Sequence, residues 1–306
     1  MRVLFVSSGR RGKPGPIIIS QGESLKKSAI EVDYITAGPG LRGYLSAIPS
    51  IRRAWKKGRY DLVHAHYSLS AFAASFAGRF PMAVSLMGSD VFMSAPVRIL
   101  IRILSRYRWN ATIVKSARMK DKLGLPRAEV IPNGVDTTMF SPEPQMKARE
   151  RLGIDPSRRV VLFGSSADRR EKNPDLAEKA FALLDYPGAE MMYLSDLSHD
   201  EVPGYLNSAD VLLLTSDWEG SPNVIKEAMA CNCPFVSTDV GDVRWLSMGV
   251  KGCFITSSDP VDIAAGIRNA LDLRGRSEGR ERIISLGLDA GSVAMKIKSV
   301  YEKVIA

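Results

Sequence analysis

Short runs rich in Val, Ile and Leu recur along this 306-residue chain, each followed by a longer stretch whose apolar residues keep helical spacing. One series of runs covers 3–7, 32–36, 61–65, 83–87, 112–114 and 129–131, and a second covers 160–163, 191–194, 211–215, 235–237 and 253–256. Helical spacing fills 41–57, 69–79, 97–108, 175–184, 222–230, 261–271 and 290–304. A strand buried on both faces reads as a continuous apolar run, and its regular alternation with helices implies a parallel sheet covered on both sides. Residues 132–144 interrupt the alternation with three prolines and a glycine, which suit neither helix nor strand. The expected fold is α/β, with two doubly wound, Rossmann-like domains of similar size facing a cleft. Residues 1–140 and 141–289 form the domains, and a last helix, 290–306, crosses back to the first. Ligands of such sheets bind beyond the carboxyl ends of the strands, so a site is expected in the loops that leave the apolar runs.

Hydrophobic residues at 45% and charged residues at 25% exclude a disordered or collagen-like chain. Three cysteines (Cys231, Cys233, Cys253) with no C-x-x-C spacing indicate neither a disulfide framework nor a zinc site. They read as small buried hydrophobes in a reducing compartment. No apolar run approaches the ~18 residues that span a bilayer. The apolar stretch before Ser7 is too short for the core of a signal peptide, and a cytoplasmic location is expected.

Charge is distributed unevenly. Residues 1–140 carry 22 Lys/Arg against 8 Asp/Glu, a balance of +14; the remainder carries 20 against 25, or −5, and the two sum to +9. A basic surface attracts phosphates, nucleic acid or anionic lipid. No nucleic-acid motif accompanies the charge, so no nucleic-acid partner is expected. Arg98, Arg102 and Arg106 recur four apart on one helical stripe, with Val97, Leu100, Leu104 and Tyr107 expected opposite them. Arg52, Arg53, Lys56, Lys57 and Arg59 cluster around Trp55. Basic amphipathic helices lie on anionic bilayers, and a helix docked on a sheet produces the same pattern. A peripheral position on an anionic membrane surface, at the inner face of the cell membrane, is one expectation; a docked helix is the other.

The most informative stretch is 215–230, TSDWEGSPNVIKEAMA, directly after the apolar run. Pro222 suits the first helical position and Ser221 its N-cap, while Gly220 permits close backbone approach to a ligand. A helix start with free amides suits a phosphate. Glu219 and Glu227, with seven residues between them, suit a ligand whose hydroxyl hydrogens they accept, such as a sugar or ribose. The plainer reading is a capped helix with two surface glutamates. His64 and His66 end a first-domain strand as H-x-H; no third ligand joins them, and no metal site is expected. His64 reads as a core histidine and His66 as a cleft candidate. The loop 8–16, with Gly9, Gly12 and Gly15, is neither a Walker loop nor a dinucleotide fingerprint.

Four stretches together resemble the retaining glycosyltransferases of the GT4 type, which have the two-domain GT-B fold. They are LVHAH at 62–66, SLMGSDV at 85–91, VIPNGVD at 130–136 followed by Phe140, and Glu219 through Glu227. The resemblance implies a nucleoside-diphosphate sugar donor, most often UDP-linked, with no cofactor and no metal. It implies a glycan or lipid-linked acceptor in envelope polysaccharide or glycolipid synthesis. Glu227 would bind the ribose hydroxyls and Glu219 those of the donor sugar, with the backbone of Gly220, Ser221, Pro222, Asn223 and Val224 near sugar and diphosphate. The second phosphate element would come after Phe163, at Gly164 and Ser165. Relatives place an arginine where Ser165 stands. Lys172 matches the family lysine, and Arg169 is favoured over Arg170 to replace the missing guanidinium. Glu219, Lys172, Arg169 and His66 are the expected catalytic residues, and Gly12, Ser89, Asp90 and Asn133 are expected at the acceptor or in the cleft; Arg10, Arg11 and Lys13 suit an acceptor phosphate or an exposed surface loop equally. Met87 stands where many relatives have a histidine. The leaving phosphate oxygen would take the acceptor proton, with closure about 132–144 excluding water. A nucleotide-sugar epimerase or hydrolase on the same fold remains open, as does a non-catalytic sugar-nucleotide-binding module, prompted by Ser165 and Met87.

Overall fold

The computed structural model describes residues 1–10, 12–273 and 275–306. They divide into two compact units, Met1–Gly134 with Ala290–Ala306, and Val135–Asp289. The division falls inside the proline-containing segment, six residues before the expected 140/141 boundary, and the last helix belongs with the first unit.

The first unit runs β1 (Arg2–Arg10), β2 (Lys13–Pro14), α1 (Pro16–Lys27), β3 (Glu31–Ala37), α2 (Gly40–Gly58), β4 (Leu62–His66), α3 (Ser68–Ala77), β5 (Met82–Ser85), α4 (Ala95–Tyr107), β6 (Ala111–Val114), α5 (Ala117–Leu123) and β7 (Glu129–Val130). Its parallel strands lie in the order β3-β1-β4-β5-β6-β7. The glycine-bearing stretch after β1 differs from expectation. It is a hairpin rather than an open loop: β1 continues to Arg10, turns at Gly12 with φ +75°, and returns antiparallel as β2. A Cβ on Gly9 would overlap the carbonyl of Lys13, so only glycine lets the two strands approach. Lys13 is exposed; Arg11 and the side chain of Arg10 lie outside the described residues.

Helix α1 carried no helical signal, because three consecutive isoleucines and Gly22 favour other conformations. Pro16 starts it, and Gly22 is needed where the Tyr34 hydroxyl occupies the place of a Cβ. Helix α4 corrects a second expectation. Ile101 is its buried residue, with Val97, Leu100 and Leu104 packed against the core. Tyr107, expected on that side, is 76% exposed. The helix ends there, and Trp109 takes the interior place instead, donating to Ser75 Oγ at 3.0 Å.

The second unit runs α6 (Gln145–Leu152), β8 (Arg159–Phe163), α7 (Pro174–Ala182), β9 (Ala189–Tyr193), α8 (Val202–Ser208), β10 (Val211–Leu214), α9 (Asn223–Ala230), β11 (Phe235–Thr238), α10 (Val243–Leu246), β12 (Cys253–Thr256), α11 (Pro260–Leu271) and α12 (Gly279–Ser285). All five strands are parallel, in the order β12-β11-β10-β8-β9. Numbered within the unit this is 2-1-3-4-5, and its direction reverses between β8 and β10. The final helix, α13 (Ala290–Ile305), packs on α1 in the first unit. Cys231 and Cys233 are buried, Cys253 is half-buried, and all three are free thiols.

Candidate functional site

The two loops singled out in the second half of the sequence leave β8 and β10, the pair of strands that flank the reversal of strand order. Thr215, directly after β10, donates its hydroxyl to the carbonyls of Lys172 (3.1 Å) and Asn173 (2.9 Å). Asn173 Nδ2 donates to Asp217 Oδ1 at 2.8 Å, so the loops are laced together. A Cβ on Gly164 would come 3.3 Å from Val224 Cγ1, which places the end of β8 against the first turn of α9. Across this junction the Lys172 ammonium pairs with the Glu219 carboxylate. Ser216 Oγ donates to the same Glu219 Oε1 at 2.9 Å.

Helix α9 begins one residue later than expected. Pro222, with ψ 121°, is its extended cap residue rather than its first turn, and no side chain caps the helix. The Ser221 hydroxyl is taken by Lys226 Nζ at 3.0 Å. Side chains on a helix lean toward its N-terminus, which is how Lys226 reaches a residue five positions earlier. The lysine is fully buried, and burial pushes its pKa down to about 8, while Asp242, Glu227 and Glu219 act against the shift. Burial raises the Asp242 carboxyl, and Lys226 pulls it back. A buried lysine therefore lies beneath the loop that starts α9, and the Asp242 carboxylate, from the loop after β11, favours its charged form.

Glu227, on α9, accepts from or shares a proton with His199 Nε2 at 3.0 Å. His199 lies between β9 and α8, its ring 5.3 Å from Phe140. The hydrogen bond to Glu227 raises the histidine above its ordinary value. Gly241, after β11, holds φ +57°, and a Cβ there would press on the Gly220 carbonyl at 2.9 Å. Sequence reasoning missed His199, Lys226, Asp242 and Gly241. The signals open to it were a lone histidine after a strand and a lysine on an otherwise apolar helix.

Gly164, Ser165, Lys172, Glu219, Gly220, Ser221, Pro222, Asn223, Val224 and Glu227 thus lie at one end of the second sheet. Ser165 is buried, its N–H donating to the Phe163 carbonyl at 2.8 Å. Arg169 is turned elsewhere: its half-exposed guanidinium donates twice to Glu171 Oε1, at 2.9 and 2.7 Å.

In the first unit His64 is a core residue, bonded to Tyr301 Oη (2.5 Å) and Ser85 Oγ (2.9 Å). His66 is buried with its ring 4.6 Å from Phe5, and neither ring nitrogen has a hydrogen-bond partner among the described residues. Burial, then His64 and Lys115, hold its pKa well below the usual range, so it is neutral. Asp90 is fully buried and accepts from the N–H groups of Ser68 (3.0 Å) and Met87 (2.6 Å). It clips the start of α3 to the turn after β5, where the preceding Tyr67 holds a strained φ of +78°. Ser89 and Gly12 are exposed, and Asn133 is buried beside Gly134 and Ala290. Among the described residues no group of three or more His, Cys, Asp or Glu could hold a metal. No described helix is long and apolar enough to cross a membrane.

Two family signatures match the chain: "Glycosyltransferase Family 4" over residues 7–139 and "Glycosyl transferases group 1" over residues 146–272. The chain is 28% identical to the Bacillus subtilis protein TuaC, named as a teichuronic acid biosynthesis glycosyltransferase, over 61% of this chain and 55% of that protein. The match thus spans about half the length of that relative. It is 25% identical to a D-inositol 3-phosphate glycosyltransferase of Streptosporangium roseum, over 77% of this chain and 69% of that one. The fold is similar to that of Anabaena HepE in complex with UDP and glucose, with TM-score 0.77 and 19% identity, covering 99% of each chain.

Proposed function

The chain belongs to the group 1, family 4 glycosyltransferases, and from that premise we propose that it transfers a sugar from a UDP-sugar to a hydroxyl of a glycan or lipid-linked acceptor. The acceptor belongs to envelope polysaccharide or glycolipid synthesis. The observation that carries the donor reading is the pairing of Lys172 with Glu219 between the loops that flank the β8/β10 reversal, with Glu227 on the helix that follows the second loop. The UDP complex of HepE, a protein of the same fold, supports the choice of base.

In this reading Glu227 accepts the ribose hydroxyl hydrogens, oriented by His199. Glu219 accepts hydroxyl hydrogens of the donor sugar. The diphosphate lies against Gly164 and the start of α9, where backbone amides favour anions. Lys172, drawn from Glu219 toward the phosphate, offsets charge on the leaving oxygen, with no metal needed for that role. Arg169 joins it only by leaving Glu171. The bond from the anomeric carbon to the phosphate oxygen breaks as the bond to the acceptor oxygen forms. The acceptor proton passes to the leaving phosphate oxygen, and the anomeric configuration is retained. The neutral, buried His66 is then not required as a base. The protein works in the cytoplasm, at the inner face of the cell membrane.

Calorimetry with UDP-, GDP- and ADP-sugars, then mass spectrometry of reactions with cell-envelope extract, tests the reading. UDP-sugar binding and a product heavier by one sugar are expected. Release of free sugar or of an epimerised donor identifies the hydrolase or epimerase instead. Binding with no turnover identifies a non-catalytic module.

A further inference from the structure

We propose, resting on the donor reading above, that Lys226 is a positioning residue for the diphosphate: it holds Ser221 from beneath and takes up a proton from solvent when a nucleoside diphosphate binds at the start of α9. Lys226 lies in the first half of α9, and none of it is exposed. Its Nζ donates to Ser221 Oγ at 3.0 Å. An ammonium has donors only, so the serine oxygen must accept, and the residue that precedes the helix cap is fixed from the interior. The loop after β11 closes on the same place. A Cβ on Gly241 would come 2.9 Å from the Gly220 carbonyl oxygen. The next residue, Asp242, is 9% exposed, and neither of its carboxylate oxygens has a hydrogen-bond partner among the described residues. A carboxylate buried without donors costs stability, so packing alone does not account for it.

Three carboxylates favour the charged form of the lysine: Asp242 most, then Glu227 on the same helix and Glu219 in the loop before it. Glu219 pairs with Lys172, and Glu227 with His199, so both glutamates also answer to other cations. Burial outweighs all three carboxylates and brings the lysine down to about 8. At mildly alkaline pH much of it is therefore neutral in the free chain. A diphosphate against the amides of α9 adds negative charge above it. Shielded from solvent, that charge favours the ammonium far more than it would in water. One proton passes from solvent to Nζ as the ligand binds, and returns when the ligand leaves. A lysine kept for folding alone would exchange no proton with the ligand, and this separates the two roles.

The test is calorimetry of UDP with the full chain at about pH 8.5, in buffers of different ionisation heat. Phosphate groups are already ionised there, so UDP brings no proton change of its own. The wild type is expected to take up about half a proton or more per UDP. Its affinity for UDP should fall by up to about tenfold from pH 7 to pH 9. K226M/D242N, which removes both buried charges, should bind UDP about tenfold more weakly at neutral pH, with no proton uptake and no such fall. Urea unfolding checks that this variant is folded, and K226Q, which keeps a neutral donor at the same place, should also take up no proton. H199Q should keep the uptake, because it changes the partner of Glu227 and leaves Lys226 in place. No uptake by the wild type, uptake that persists in K226M/D242N or K226Q, or uptake lost in H199Q would overturn the proposal and leave the donor reading standing. A wild type that binds no UDP would overturn both.

Discussion

Lys226 Nζ lies 3.0 Å from Ser221 Oγ, and none of the lysine is exposed. The contact turns a loop residue toward the interior at the point where α9 begins. It also explains why Ser221 does not cap the helix.

Replacing Lys226 with methionine should separate stability from ligand binding. K226M removes the charge that favours the ionised form of buried Asp242, and the variant should unfold at lower urea than wild type. K226M/D242N should recover most of that loss, because an apolar and a neutral residue carry no buried charge. Both variants should bind UDP about tenfold more weakly, since neither holds Ser221. The pH dependence has a definite sign. The lysine is depressed to about 8 from 10.5, so the folded chain releases its proton before the unfolded chain does. The stability it contributes is present above 10.5 and lost as pH falls through 8. The double variant should lack this change.

Glu227 and Lys172 should fail in different ways. On the proposed reading, in which Glu227 accepts ribose hydroxyls, E227A should weaken UDP binding by about 10- to 100-fold in calorimetry. K172A should lower turnover by about 10²- to 10³-fold and affect UDP affinity less, because its charge matters most as the phosphate leaves. Unchanged UDP affinity in E227A would remove Glu227 from the ribose site.

His199 is raised above its ordinary pKa by its bond to Glu227. The stability from this pair is fully present below about 6.5 and fades as pH rises through the folded value. The difference in melting temperature between wild type and H199Q should therefore be largest in mildly acidic buffer and shrink toward alkaline pH. A difference independent of pH would mean that the ring contributes packing against Phe140 and no charge.

Asp90 is pushed up to about 6 from 3.8 by burial, with the amides of Ser68 and Met87 opposing the shift. Between those values the folded chain keeps a proton that the unfolded chain has released. The contribution of Asp90 to stability is fully present below 3.8 and lost as pH rises through about 6. D90N should flatten this slope in thermal unfolding measured across that window.

Much of the second unit was legible because its signals are local. The apolar run 211–214 is β10, and Glu219, Gly220 and Glu227 were visible as a strand–loop–helix unit. The helix start was misplaced by one residue, because Ser221 answers to Lys226 and not to the amides ahead of it. Arg169 was favoured to replace the guanidinium that relatives carry at the Ser165 position, but Glu171, two residues away, holds its guanidinium. The hairpin after β1 was read as a loop, since Gly9 and Gly12 mark a turn without saying what pairs across it.

The order of residues by itself determined the two alternating α/β series, the strand ends that hold the candidate site, and the basic first half. Each of these depends on periodicity or composition over a few turns of chain. Only the tertiary structure decided that His199 meets Glu227, that Asp242 balances Lys226, and that Tyr107 faces outward. The first two join segments far apart in the chain. They exist because a parallel sheet gathers the ends of its strands at one edge, and burial then forces each charge there to find a partner.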